Sequence, residues 1–286
     1  MKLVSSRLVL PAALVLVVTA VAAPVAAQRD FEPLFDKFNL RLEGSWVGLS
    51  TEIRLDSEAL GTGTTLKFED DLNLASSKTI PSLAFEWQIS RRHRLGVRWQ
   101  DISRDSTSQT LTEIQWGDEI IPIDAQINLG FDVTQYFVDW TYYPWVKERW
   151  AAGFGLGLRV LELSATLAWT LEGGEEQGEG TSDVKGTGPL PYLYFEYRRM
   201  FSEHWRFQAG VGWLYVSIED ISGGQWVGRL GIEYLIGDHF SVGGAFNLST
   251  IDVDWDGIET EEDGTLLNAS IAYDINDFSL FVRARF

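Results

Sequence analysis

The chain has no cysteine, which excludes disulfides, thiolate catalysis and cysteine-ligated metals. Three histidines are present in 286 residues, so a histidine-based catalytic centre has few places to form. Beyond residue 27 no stretch approaches the roughly 18 continuous apolar residues of a spanning helix. Basic residues are scarce too, 23 against 41 acidic. That balance disfavours nucleic acid and anionic surfaces as partners.

What is present begins with an export signal. Lys2 and Arg7 precede the apolar run "LVLPAALVLVVTAVAA", and Val25-Ala26-Ala27 offers a small-residue cleavage site before Gln28. Residues 1–27 are therefore expected to be a signal peptide and residues 28–286 the mature domain. Losing Lys2 and Arg7 takes the formal charge from −18 to −20. An exported chain without spanning helices is either soluble outside the inner membrane or crosses a membrane as strands.

Period-two alternation runs from Phe38 to the end. In "IPSLAFEWQIS", Pro81, Leu83, Phe85, Trp87 and Ile89 share one face, and Ser82, Ala84, Glu86, Gln88 and Ser90 the other. "WRFQAGVGWLY" sets Trp205, Phe207, Val211, Trp213 and Tyr215 against Arg206, Gln208, Gly210 and Gly212. Short charged turns at 90–94, 145–150, 201–205 and 237–240 alternate with polar connections expected at 56–79, 103–124, 171–187, 218–224 and 252–264. Aromatics gather near strand ends, among them Trp87, Trp99, Trp140, Trp205, Tyr234 and Phe240, as an interfacial girdle requires. A soluble sandwich would alternate as well, but with strands of five or six residues. The pattern predicts an all-β fold, a single antiparallel up-and-down transmembrane β-barrel. Four short turns give about ten strands, or twelve if Asp274–Asp277 is a turn and another strand lies in 62–75.

The signal, the short turns and the final Phe278-x-Leu280-x-Val282-x-Ala284-x-Phe286 resemble the outer-membrane β-barrel proteins of Gram-negative bacteria. "LGTGTTLKFEDDLNL" with "PSLAFEWQISRRHRLGVRW" is similar to a group of small barrels of that class with no assigned activity. The resemblance implies an outer-membrane location among lipid and lipopolysaccharide. It also implies that the barrel-assembly machinery reads Phe278, Leu280, Val282 and Phe286 as a terminal signal. Ala284 departs from the pattern, since a bulkier residue is usual there.

Parity then separates the faces. Arg41, Arg94, Arg98, Arg159, Arg198, Arg206, Arg229, Arg283 and Arg285 are expected to point into the lumen, as are Glu43, Glu86, Asp139, Glu196 and Glu233. A charge on the lipid face would cost about 2–4 kcal/mol at mid-membrane. Such an interior is either a salt-bridged plug or a narrow polar pore, and the small lumen of about ten strands favours the plug. The leading expectation is a structural role or a narrow passive pore for small solutes, with no cofactor and no enzyme activity.

Two other classes stay open. The first is an outer-membrane enzyme acting on lipid or peptide. Omptin-like proteases and outer-membrane phospholipases carry their catalytic histidine near the outer end, whereas His93, His204 and His239 fall in predicted periplasmic turns. The second is a cation- or lipopolysaccharide-binding surface protein. Asp252, Asp254, Asp256 and Asp263 around Gly257 fit the spacing of a calcium loop, so a weak Ca²⁺ site is a candidate there. No helix pattern flanks it, and the same alternation arises at the top of a strand. "EGGEEQGEG" at 172–180 reads as a mobile acidic loop. Gly153, Gly155 and Gly157 are expected to make room in the lumen or to let the strand curve.

Overall fold

The computed structural model describes residues 34–57, 60–117, 119–171, 178–218, 220–259 and 266–286. The expected signal at 1–27, residues 172–177 of the acidic loop, and Asp263 lie outside the described residues. Ten long strands make the wall: β1 (Phe38–Ser57), β3 (Ser77–Ser90), β4 (His93–Gln109), β7 (Gln126–Val146), β8 (Trp150–Leu171), β9 (Gly178–Met200), β10 (Trp205–Ile218), β11 (Ile221–Ile236), β12 (Phe240–Glu259) and β13 (Leu266–Arg285). A short β2 (Leu66–Lys67), a one-turn helix α1 (Phe68–Asp71) and a hairpin of β5 (Ile114–Trp116) and β6 (Glu119–Ile121) belong to the loops.

Each wall strand pairs antiparallel with the next, and β13 pairs with β1 from Arg285↔Asn39 to Leu267↔Ser57. The sheet is thus a closed ten-stranded barrel, and the twelve-strand alternative falls away. β13 passes through Asp274–Asp277 without a break because its inward and outward alternation never slips. Its last residue is held as well, since Phe38 N–H donates to Phe286 O (3.0 Å) and Phe286 N–H donates to Phe38 O (2.9 Å). Both described ends and the four short turns share one end of the barrel, called here the turn end; the opposite end is the loop end.

One rule along β1 positions everything else. Odd-numbered residues face in and even-numbered residues face out along its whole length. From Phe38 to Trp46 the outward set is Phe38, Leu40, Leu42, Gly44 and Trp46, around inward Asn39, Arg41, Glu43 and Ser45. From Val47 the facing is kept and the chemistry swaps. Val47, Leu49, Ile53 and Leu55 now point in, while Ser50, Glu52, Arg54 and Asp56 point out. The swap recurs on β8 between Leu158 and Glu162 and on β13 between Phe278 and Asp274, whereas on β4 the outward side turns polar between Trp99 and Asp101 while the inward side carries Ile102, Arg104 and Ser106.

The outer surface therefore carries an apolar belt only toward the turn end. Nine strand residues tilted by about 40° span about 20–25 Å, close to the height of a lipid-facing band. Paired aromatics mark its margins: Trp46 with Phe278 (6.1 Å) and Trp213 with Trp226 (5.8 Å) above, His93 with Trp140 (5.7 Å) and Trp205 with Tyr234 (5.1 Å) below. Beyond the upper margin the wall continues for up to half its length, wet outside and apolar within.

That continuation shortens the expected loops. β4 runs to Gln109, β8 to Leu171, and β9 starts at Gly178. The connection expected at 218–224 is only residues 219–220, because Ile218 pairs directly with Ile221. Polar outward residues in these stretches look like loop in a sequence, although their inward partners still build a wall.

Candidate functional site

At the turn end the residues ahead of β1 fold into the mouth, burying Leu34, Phe35 and Asp36. The Asp36 carboxylate accepts from Arg206 Nη2 (2.6 Å) and Arg285 Nε (2.7 Å). Burial alone would raise this carboxyl, but Arg206, Arg285 and Arg283 outweigh it and hold the group at about 2. Glu233 joins the same layer through Arg206 (2.5 Å), Arg283 (3.1 Å) and Ser241 Oγ (2.9 Å).

A second layer lies directly above. Glu86 accepts from Arg94 (3.1 Å) and Arg198 (3.0 Å), and Arg41 stands 3.8 Å away. Glu196, with 0% of its side chain exposed, contacts Arg94 and Arg198 and accepts from Tyr143 Oη (2.8 Å). Tyr143 packs at a tilt against Phe35, with ring centroids 4.9 Å apart, which ties the two layers together. Each carboxylate is shared by at least two arginines, so buried charge is matched at short range. Only such geometry offsets the desolvation cost of burying ions.

Higher up, Glu43 contacts Arg41 and accepts from Arg229 (3.0 Å); Arg229 also donates to Asn247 Oδ1 (2.8 Å), and Asn247 donates to Asp277 (2.7 Å). Tyr192 Oη donates to Asp139. Phe137 lies between the guanidinium groups of Arg98 (4.0 Å) and Arg159 (5.0 Å). These residues surround a polar cavity with about 810 Å³ of empty space, its openings included. Arg159 is fully buried and donates to Ser249 Oγ (2.7 Å) and Gln135 Oε1. A Cβ on Gly157 would overlap the Tyr192 ring and one on Gly153 would press on Tyr143, so these two glycines make room for lumen tyrosines.

The charged set ends at a ring around Arg104, which donates to Thr51 Oγ1 (2.6 Å) and Glu69 Oε1 (2.5 Å). Glu69 sits on α1 and also accepts from Thr51 N–H (2.8 Å). This anchor draws the first loop into the barrel, where Leu66, Phe68, Leu72 and Leu74 are buried. The β5–β6 hairpin adds Ile114, Trp116 and Ile121, with Phe68 against Phe131 (5.2 Å) and Trp116 (5.9 Å). Beside these inserts remains a second cavity, with about 660 Å³ of empty space including its mouth. Its lining is aliphatic side chains, glycine and two tryptophans, among them Ile53, Leu163, Val184, Leu190, Val253 and Ile271. Among the described lining side chains, the indole N–H groups of Trp116 and Trp255 are the only polar groups, and that of Trp116 is buried without a partner.

The expected lumen charges thus sit on the inner wall, from Arg285 at the mouth to Arg159 beneath the chamber. Sequence reading missed Asp36, Arg104, Glu69 and Asp277 in that network. Parity with Arg283 and Arg285 was enough to find Asp277. Asp36 and Glu69 lie outside the wall strands, so no periodicity points to them. Of the expected calcium loop, Asp252, Asp254 and Asp256 lie on the outward side of β12, which runs on to Glu259, and Asp263 lies outside the described residues. His93 opens β4, and His204 and His239 lie in turns, all at the end opposite the chamber.

No family model and no curated protein matches the sequence. Among solved structures, the outer membrane protease OmpT from Escherichia coli superimposes with a TM-score of 0.60 at 10% identity, covering 90% of this chain and 100% of that one. The Pseudomonas putida toluene transporter TodX matches with a TM-score of 0.38 at 9% identity, over 88% and 90% of the two chains. The first likeness is one of fold: this chain has the fold of an outer-membrane β-barrel.

Proposed function

We propose that this is an outer-membrane barrel, closed along its axis, that holds an apolar molecule in its outer half. Residues 1–27 export the chain, and the barrel-assembly machinery inserts it with the turn end toward the periplasm, among lipid and lipopolysaccharide. The apolar belt, its aromatic margins and the wet outer extension support that placement. The lower half has a structural role. Its ion-paired layers occupy the lumen where a narrow passive pore would need water, so the plugged form of the sequence expectation is the one favoured.

The observation that carries the reading is the swap of polarity along β1, β7, β8, β12 and β13. A barrel that only needed stability could end at the headgroups. This one continues with an inward apolar wall, and that wall is only partly filled by its own loops. Titration of the purified barrel, trapped in amphipol, with N-phenyl-1-naphthylamine tests the proposal, because this dye fluoresces only in apolar surroundings. The expected result is saturable binding of one dye per chain, weakened at least tenfold in Val253→Asp and unchanged in the outward Asp254→Ala. Equal, non-saturating signals from wild type and Val253→Asp would refute it.

A further inference from the structure

The wall of the chamber is not hydrogen-bonded all the way round. β9 keeps its pairing with β8 from Trp150↔Arg199 to Leu171↔Gly178, but its pairing with β10 stops at Trp213↔Leu193. Above that point β10 continues to Ile218 paired with β11 alone. From Gly178 to Tyr192, β9 therefore has a ladder partner on one side only. The split begins at the upper margin of the apolar belt, where Leu193 and Trp213 are both about half exposed.

An open sheet edge is not tolerated in lipid unless its polar groups are removed or satisfied. Both devices are present at the foot of the split. Pro189 and Pro191 bring no N–H to this edge. Gln225 of β11 reaches across and donates through Nε2 to Leu190 O (2.7 Å) and Pro191 O (3.3 Å). Higher up, Trp255 of β12 lies over Gly186 of β9, so closely that a Cβ there would stand 2.6 Å from the ring. The β12–β13 register shifts immediately after Trp255, and Gly257 takes a φ of +74°. Such a bulge re-aims the side chain that precedes it. Behind the split, Val184, Gly186, Gly188 and Leu190 are at once the edge of β9 and the lining of the chamber.

We propose that the split between β9 and β10 is a lateral portal through which an acyl chain of an outer-leaflet lipid enters the chamber, with Trp255 against Gly186 as its movable upper closure. The proposal rests on the chamber reading above. Its occupant follows from position: the split opens beside the lipid-facing residues of the belt margin and leads to a wall of aliphatic side chains, glycine and two tryptophans. A single apolar chain crosses there with its headgroup left in the interface.

The absence of native cysteine makes a direct test clean. If the β9–β10 register continued upward, Leu190 would face Val216 across the split. The pair Leu190→Cys/Val216→Cys can therefore be closed by oxidation or a short bismaleimide bridge and, when disulfide-linked, reopened by reduction. The protein is placed in phosphatidylcholine vesicles containing phosphatidylcholine with a diazirine on its acyl chain. Illumination is followed by mass-spectrometric mapping, with heat-modifiable gel migration confirming that both forms are folded. Label on Val184, Ile251 and Val253 in the open form, falling at least fivefold in the bridged form, is the expected result. Equal label in both forms, or none in either, overturns the portal. Dye binding measured on the same samples separates the two failures: retained binding leaves the chamber standing, and lost binding removes both.

Discussion

Glu196 is the residue where the interior charge is most tightly committed. Its carboxylate meets Arg94, Arg198 and Tyr143 with no exposed surface. Replacing it by glutamine leaves two buried guanidinium groups short of a counter-charge, and losing one member of such a set costs about 3–5 kcal/mol. Urea unfolding of the refolded barrel, followed by tryptophan fluorescence, should show that loss for Glu196→Gln. The outward Glu162→Gln, on the wet extension of β8, should change stability by less than about 0.5 kcal/mol. Charge alone does not mark which carboxylates matter. Glu162 and Glu196 look alike in composition and differ only in the face and height that strand parity assigns them.

At the scale of the strand, alternation carried the reading well wherever the outward side chains were apolar. Leu83, Phe85 and Trp87 announce β3, and Phe278, Leu280 and Val282 announce β13. Above the belt the upper part of β4 reads as loop, because outward Ser103, Asp105 and Thr107 sit opposite an inward face that includes Ser106 and Ser108. A hydrophobicity pattern signals a strand by contrast between faces, and that contrast fades when both are polar or inverts when the environment inverts. The inserts α1 and β5–β6 were illegible for a different reason: their apolar residues answer to a distant wall, not to their own period. Phe286 makes a testable case at this scale. It closes the β1–β13 seam with two main-chain hydrogen bonds yet exposes its ring outward. Its deletion should reduce the outer-membrane yield several-fold while lowering the stability of refolded protein by less than about 1 kcal/mol. An unchanged yield would count against a role in assembly.

For the whole molecule, two interiors are stacked in one barrel. The lower is ionic and surrounded by lipid; the upper is apolar and surrounded by water. Neither arrangement is stable in the other's place, since charges facing lipid and apolar walls facing water are both costly. The depth at which the faces exchange is therefore fixed by the membrane surface itself. That exchange separates an axially closed barrel with an outer chamber from a water-filled pore. Nitroxide labels at single introduced cysteines read it most directly, through collision rates with oxygen, which partitions into apolar regions, and with a nickel chelate, which stays in water. The deciding comparison is Val253→Cys with Asp254→Cys on β12, against Phe246→Cys in the belt. The account predicts that labels at 246 and 253 collide mainly with oxygen and the label at 254 with the chelate, although 246 faces outward and 253 inward. A label at 253 as open to the chelate as the one at 254 would mean a water-filled lumen and would contradict it.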